Sequence, residues 1–176
     1  MTAYAEGYTA ALQRLYSGQC RVALADRRRG RKVVKIGMFR TKLQVRYCET
    51  DRMGVVHHSR YFPWFEVGRT EFFKTSGMSY DEIEKKGVWL PLVDCYCRFY
   101  CGARYGDEVW IEVCLKELGA AKCKFDYRVI RVSDEALLAS GSTTHGFTTP
   151  EMKPINLKKK EPAIYQLLLS LQEGEL

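Results

Sequence analysis

Tyr47-Cys48-Glu49-Thr50-Asp51-Arg52-Met53-Gly54-Val55-Val56-His57-His58-Ser59-Arg60-Tyr61 lies between two segments of different periodicity, and its reading decides the fold. Upstream, Phe39, Thr41, Leu43, Val45 and Tyr47 follow the period of a half-buried strand. Downstream, Tyr61, Phe62, Phe65, Phe72 and Phe73, with small Gly68 among them, predict a largely buried helix from about Ser59 to Thr75. Pro63 suits its first turn, where a missing N–H costs little, and Gly77 suits its end. The quoted stretch is therefore a strand-to-helix loop that turns at Gly54.

Further along, Ser79 followed three residues later by Glu82 is a capping-box pattern for a short helix ending at Gly87. Val88 to Phe99 is apolar and β-rich. Gly106-Asp107 marks a turn, after which Val109, Ile111, Val113 and Leu115 alternate with Trp110, Glu112, Cys114 and Lys116. Gly119 marks another, followed by alternating Cys123, Phe125, Tyr127 and Val129; Ser133-Asp134 then turns into 136–149. Residues 161–172 fit an amphipathic helix beyond Pro150 and Pro154. The order of strand, long helix, short helix and four strands predicts an α+β arrangement, an antiparallel sheet packed on one central helix.

The 176 residues suit one main domain. Their formal charge of +7 suggests an anionic partner until it is located. Residues 1–37 carry eight basic side chains against Glu6 and Asp26, whereas the remainder carries twenty basic against nineteen acidic. The charge thus belongs to the first fifth of the chain, and no nucleic-acid partner is expected for the rest. We divide the chain into a basic extension (1–37), disordered or holding one short helix, a domain (38–157) and a helical tail (158–176). The Arg27–Lys35 block fits a solvated tail, a targeting or nucleic-acid arm, or a stretch upstream of a physiological start at Met38. It holds no aromatic residue for base stacking.

Seven cysteines cannot all pair, and no secretory pattern or spanning apolar run is present, so a cytoplasmic setting is expected. Cys95, Cys97 and Cys101 fall in one apolar segment, but without C-x-x-C spacing or a nearby histidine they read as buried thiols rather than zinc ligands. No metal or cofactor is expected.

Asp51 after a strand, a glycine turn and a helix start place a carboxylate beside free N–H groups and the positive end of a helix dipole. Such donors polarise a carbonyl, and a carboxylate opposite them serves as general base or nucleophile. The same residues permit other readings. Asp51 could cap the helix, His58 or His145 could be structural, and Glu66 and Arg69 could form a simple helix pair. Glu49 would be a second carboxylate on the Asp51 face if the strand persisted so far. Trp64, Phe65, Trp89 and Phe99 could shape a pocket or fill the core.

Asp51-x-x-Gly54-x-Val56-x-His58-x-x-Tyr61, followed by Glu66 and Arg69, resembles the signature of hotdog-fold acyl-CoA thioesterases of the 4-hydroxybenzoyl-CoA thioesterase superfamily. It is most similar to the bacterial short-chain branch associated with the Tol-Pal gene cluster, over about residues 39–157. The resemblance implies a hotdog fold, a five-stranded antiparallel sheet wrapped around a long helix. It implies hydrolysis of acyl-CoA to free acid and CoA, with Asp51 as the catalytic carboxylate and the N–H near His58 polarising the thioester carbonyl. The His58 side chain would orient water or thioester, with Gly54, Val55, Val56, His57 and Tyr61 lining the substrate. Glu66 and Arg69 match positions of structure and subunit contact. Arg104, Lys122, Lys124 and Arg128 are candidates for the CoA phosphates, although the hairpin at Leu118–Lys122 is less basic than in the aromatic-substrate branch. A homodimer or homotetramer is implied, with acyl carrier protein a further partner. The alternative from another class is a non-catalytic hotdog module that binds acyl groups or acyl carrier protein.

Overall fold

In the computed structural model, which describes residues 38–173, five strands form one antiparallel sheet against one face of a long helix. The strands are β1 (Met38–Gln44), β2 (Leu92–Phe99), β3 (Glu108–Leu118), β4 (Lys122–Arg131) and β5 (Leu137–Gly146), in the spatial order β1-β3-β4-β5-β2. The helices are α1 (Tyr61–Thr75), α2 (Tyr80–Lys85), α3 (Leu157–Lys160) and α4 (Pro162–Glu173). The expected α+β hotdog architecture is thus present; the reading of residues 1–37 lies outside the described residues.

The sheet follows from the alternation. Val109, Ile111, Val113 and Leu115 of β3 and Cys123, Phe125, Tyr127 and Val129 of β4 are all buried on the helix side. On the other face Glu112 is buried between Arg40, at 2.6 Å, and Arg128, at 3.2 Å. The helix begins later than expected, because His58–Arg60 first form a single 3-10 turn. Pro63 lies in its first turn, and Gly77 follows it with φ +77°. Ser79 Oγ accepts from the Glu82 N–H while Glu82 Oε2 accepts from the Ser79 N–H at 2.6 Å, the reciprocal cap of α2. Strand β2 starts at Leu92 rather than Val88: Pro91 brings no N–H to a ladder, and Trp89 instead pairs with Thr148. In α4, Ile164, Leu168 and Leu171 join the same apolar core.

Two glycines let α1 lie close to the sheet. A Cβ on Gly68 would stand 2.8 Å from methyl carbons of Ile111 and Val113, and one on Gly141 2.5 Å from the Phe65 ring and the Tyr96 carbonyl oxygen. The second contact includes backbone and cannot swing away. Gly141→Ala is therefore expected to cost about 1–3 kcal/mol by overpacking. Gly146→Ala, where the nearest atom is 3.6 Å off, is expected to cost much less; equal denaturation midpoints for the two variants would contradict this packing.

Candidate active site

The loop between β1 and α1 is built around Glu49. After β1 the chain makes a 3-10 turn, Tyr47–Glu49, so the strand does not continue to Glu49 and strand alternation does not aim it alongside Asp51. Its side chain is only 3 % exposed and accepts from the Arg46 N–H (2.8 Å), the Arg46 guanidinium (3.1 Å) and the Trp64 indole N–H (3.0 Å). Burial alone would raise its pKa, but these donors outweigh it and hold the carboxyl below its ordinary value. Glu49 is therefore a structural carboxylate, tied to α1 through Trp64.

Beyond it, Thr50 bridges Val56 and closes a tight loop. The Asp51 N–H donates to Val55 O, and the Gly54 N–H donates back to Asp51 O, each at 2.9 Å, with Gly54 at φ +73°. Asp51 Oδ1 accepts from the Met53 N–H at 2.8 Å, while Oδ2 has no partner among the described residues. Asp51 is partly exposed and thus remains available. Val55 fills the space beside Gly102, where a Cβ would meet it at 2.7 Å, and buried Val56 donates its N–H to Ala103 O.

From Val56 to Arg60 the backbone donors are nearly all used. Val56 donates to Ala103 O, His57 to Glu49 O, Ser59 to the His57 ring and Arg60 to His57 O. The N–H of His58 alone in this run has no acceptor among the described residues, at the start of the turn that leads into α1. The His57 ring is held by Ser59 Oγ at 2.8 Å, and the exposed His58 ring lies against it at 4.0 Å between centroids. Tyr61 is buried against Trp64 and Phe99, and burial pushes its hydroxyl up to about 12. Trp64 and Phe65 are core, whereas Trp89 and Phe99 are partly exposed.

Arg104 is exposed at this end of the sheet, next to Ala103. Lys122 and Lys124 are not. They follow the β3–β4 hairpin at the opposite end, a strand of about ten residues or roughly 30 Å away, so one chain does not bring them to Asp51. They line a separate 330 Å³ cavity with Glu117, Leu118 and Thr144. Arg128 pairs with Glu112 on the far face of the sheet. Cys95 is exposed, Cys97 and Cys101 pack against the core, and Cys101 Sγ donates to Leu137 O. Glu66 lies exposed on α1, while Arg69 reaches Tyr127.

The loop thus carries a partly exposed carboxylate behind a glycine turn and, at the helix entry, a backbone N–H without an acceptor among the described residues. Residues 45–156 match the Thioesterase-like superfamily, and the chain belongs to that family. The Bacillus subtilis protein YneP, which carries a provisional acyl-CoA thioesterase name, is 32 % identical over 69 % of this chain and 88 % of its own. The Haemophilus influenzae acyl-CoA thioesterase YbgC is 28 % identical over 74 % of this chain and 96 % of its own. Among solved structures, a Staphylococcus aureus DHNA-CoA thioesterase superposes with a TM-score of 0.73 at 27 % identity, covering 78 % of this chain and 92 % of that one.

His145 lies away from this loop. It is buried, with Nδ1 3.0 Å from Leu90 O and Nε2 3.0 Å from Thr143 Oγ1. Burial, and then the Arg69 charge, lower its pKa to about 4, although the Leu90 carbonyl opposes them. Unfolded, it would titrate near 6.5. A histidine lowered on folding contributes stability that is complete above about pH 6.5 and lost as pH falls toward 4, by up to about 3 kcal/mol. His145→Gln is expected to flatten the stability profile between pH 6.5 and 4 in chemical denaturation. The same fall in wild type and variant would assign that loss to other groups.

Proposed function

We propose that the protein hydrolyses acyl-CoA thioesters, with Asp51 as the catalytic carboxylate and the His58 N–H as the oxyanion donor. The observation that carries this reading is the pairing of an Asp51 oxygen without a partner and a backbone donor without an acceptor, among the described residues. The names of the bacterial relatives support the substrate class. In this reading the thioester oxygen accepts from the His58 N–H, which strengthens as charge develops on it. Asp51 either takes a proton from water as that water attacks, or attacks the carbonyl itself. The tetrahedral centre collapses, the C–S bond breaks and CoA leaves as thiolate; in the covalent route water then attacks the Asp51 carbonyl of the acyl–Asp51 anhydride and frees the acid. Single turnover in oxygen-18 water separates the routes: label in Asp51 marks the covalent one, label confined to the product acid the general-base one.

Asp51→Asn keeps the Oδ1 acceptor of the loop but removes the base. Its kcat on acyl-CoA is expected to fall about 10²–10⁴-fold with the fold intact. Detection of the product acid avoids background from the chain's own thiols. Equal rates for wild type, Asp51→Asn and Asp51→Ala would sink the reading, and binding without turnover of any acyl-CoA would favour a non-catalytic module.

We propose further that the active form is a homodimer joined through β2. This edge strand exposes Val93 (67 %), Tyr96 (55 %) and Leu92, an uncovered apolar edge of the kind that other strands pair with. A twofold axis through antiparallel β2 strands reverses one subunit against the other. The Asp51 end of one chain would then share an edge with the Lys122 and Lys124 end of its partner, which offers cations for the CoA phosphates. Val93→Lys with Tyr96→Lys is expected to yield a monomer by light scattering, with a KM raised at least about tenfold. A monomeric wild type would refute the dimer.

A further inference from the structure

The open edge of β2 carries two patterns, one in its backbone and one in its side chains. The Tyr100 N–H donates to Leu138 O at 2.8 Å, so by antiparallel alternation Arg98, Tyr96 and Asp94 also turn their backbone groups towards β5. Cys95, Cys97 and Phe99 turn theirs to the open edge, which meets no strand among the described residues. Asp94, Tyr96 and Arg98 stand opposite Thr144, Ser142 and Ser140, on the face of the sheet away from α1. Cys95 and Cys97 stand opposite buried Thr143 and Gly141, on the α1 side.

A second copy of this chain laid antiparallel on that edge must obey both patterns. Hydrogen-bonded pairs form only between residues that point outward, and opposed side chains share a face. A twofold axis therefore falls on a single residue, and the charges choose which one. Centred on Cys95, Asp94 would face the partner's Tyr96. Centred on Cys97, Asp94 would face the partner's Tyr100. Centred on Tyr96, Asp94 faces the partner's Arg98, and symmetry makes this contact twice. These are non-hydrogen-bonded pairs, the closer class, with Cα atoms about 4.5 Å apart. Asp94 is exposed and has no ion pair among the described residues. The Arg98 guanidinium lies over the Tyr100 ring at 5.5 Å, and a guanidinium stacked by its plane still pairs with a carboxylate through its edge.

We infer that two copies of this chain join along β2 with the twofold axis at Tyr96, each Asp94 paired with the partner's Arg98. This rests on the dimer reading above and fixes its register. Apolar burial along the edge supplies affinity, and the two ion pairs select the alignment. In this register the partner's Leu92 and the partner's Val93 come beside Phe99. The Phe99 ring packs on Tyr61 at 5.0 Å, three residues before Gly102, which lies against Val55 of the Asp51 loop. The partner thus closes the Phe99 side of the candidate site.

The experiment reverses the charges in the full chain and measures the dimer dissociation constant by sedimentation, with circular dichroism to check folding. Asp94→Arg and Arg98→Asp each set like charges opposite one another twice, and each is expected to raise that constant about tenfold or more. An equimolar mixture of the two, and the chain carrying both changes, restore both pairs and are expected to return to within about threefold of wild type. Asp94→Asn and Arg98→Gln, which introduce no repulsion, cover the case of a reversed variant that does not fold; each is expected to raise the constant about threefold. A dimeric wild type whose constant none of these changes moves, or a mixture no tighter than its components, overturns the register alone. A monomeric wild type overturns the register and the dimer together. With acyl-CoA, kcat/KM is expected to fall as the single variants dissociate and to recover in the mixture; full activity in a dissociated variant overturns the closure by the partner. Restored pairing without turnover by wild type would uphold the register and refute hydrolysis.

Discussion

The buried carboxylate of Glu49 holds together the loop between β1 and α1. Three donors converge on it, two from Arg46 at the end of β1 and one from Trp64 in α1, while its own backbone oxygen takes the His57 N–H. One residue thus joins the strand, the loop and the helix entry. A buried charge is tolerated only when its lone pairs are met, and here they are met by groups whose positions set the loop. Because the His57 N–H is consumed at Glu49, the next donor in the run, that of His58, is the one left over.

The sheet imposes a second constraint, on distance. Helix α1 can approach only where Gly68 and Gly141 omit a side chain, and this approach stacks Phe65 on Tyr127 with ring centroids 4.4 Å apart. Such close contact leaves no room for water near Tyr127, so its hydroxyl must find a protein partner. Thr143 supplies one, and His145 in turn satisfies Thr143. Packing and polarity are therefore coupled: the glycines make the approach possible, and the approach makes the hydrogen-bonded chain obligatory.

These two constraints explain what could be read from the sequence. The alternation in β3 and β4 and the Ser79–Glu82 cap are local patterns, and each appears where its period or spacing implies. That Asp51, Gly54 and His58 share one loop leading into a helix is legible because loop and helix entry are contiguous in the chain. Glu49 was not, since its role depends on Trp64, fifteen residues on, and on a 3-10 turn that ends the strand alternation early. Arg69 resembled a helix-surface partner of Glu66, and only the sheet, far away in sequence, reveals it as half-buried against Tyr127. Likewise Lys122 and Lys124 belong to a hairpin whose distance from Asp51 depends on which way β4 runs, a property of topology rather than composition.

Strand direction also bears on the charge of the chain. The described part is electrostatically balanced overall, yet its charges are not spread evenly. Its buried acids are already matched, Glu49 by Arg46 and Glu112 by Arg40 and Arg128. The cations at the β3–β4 hairpin are not committed in this way; Lys122 and Lys124 have no ion pair among the described residues. In the proposed dimer, a second copy, reversed beside the first, would bring the carboxylate loop of one subunit and the uncommitted cations of the other to one bound molecule. The exposed apolar edge of β2 is the surface on which that proposed reversal would close by symmetry.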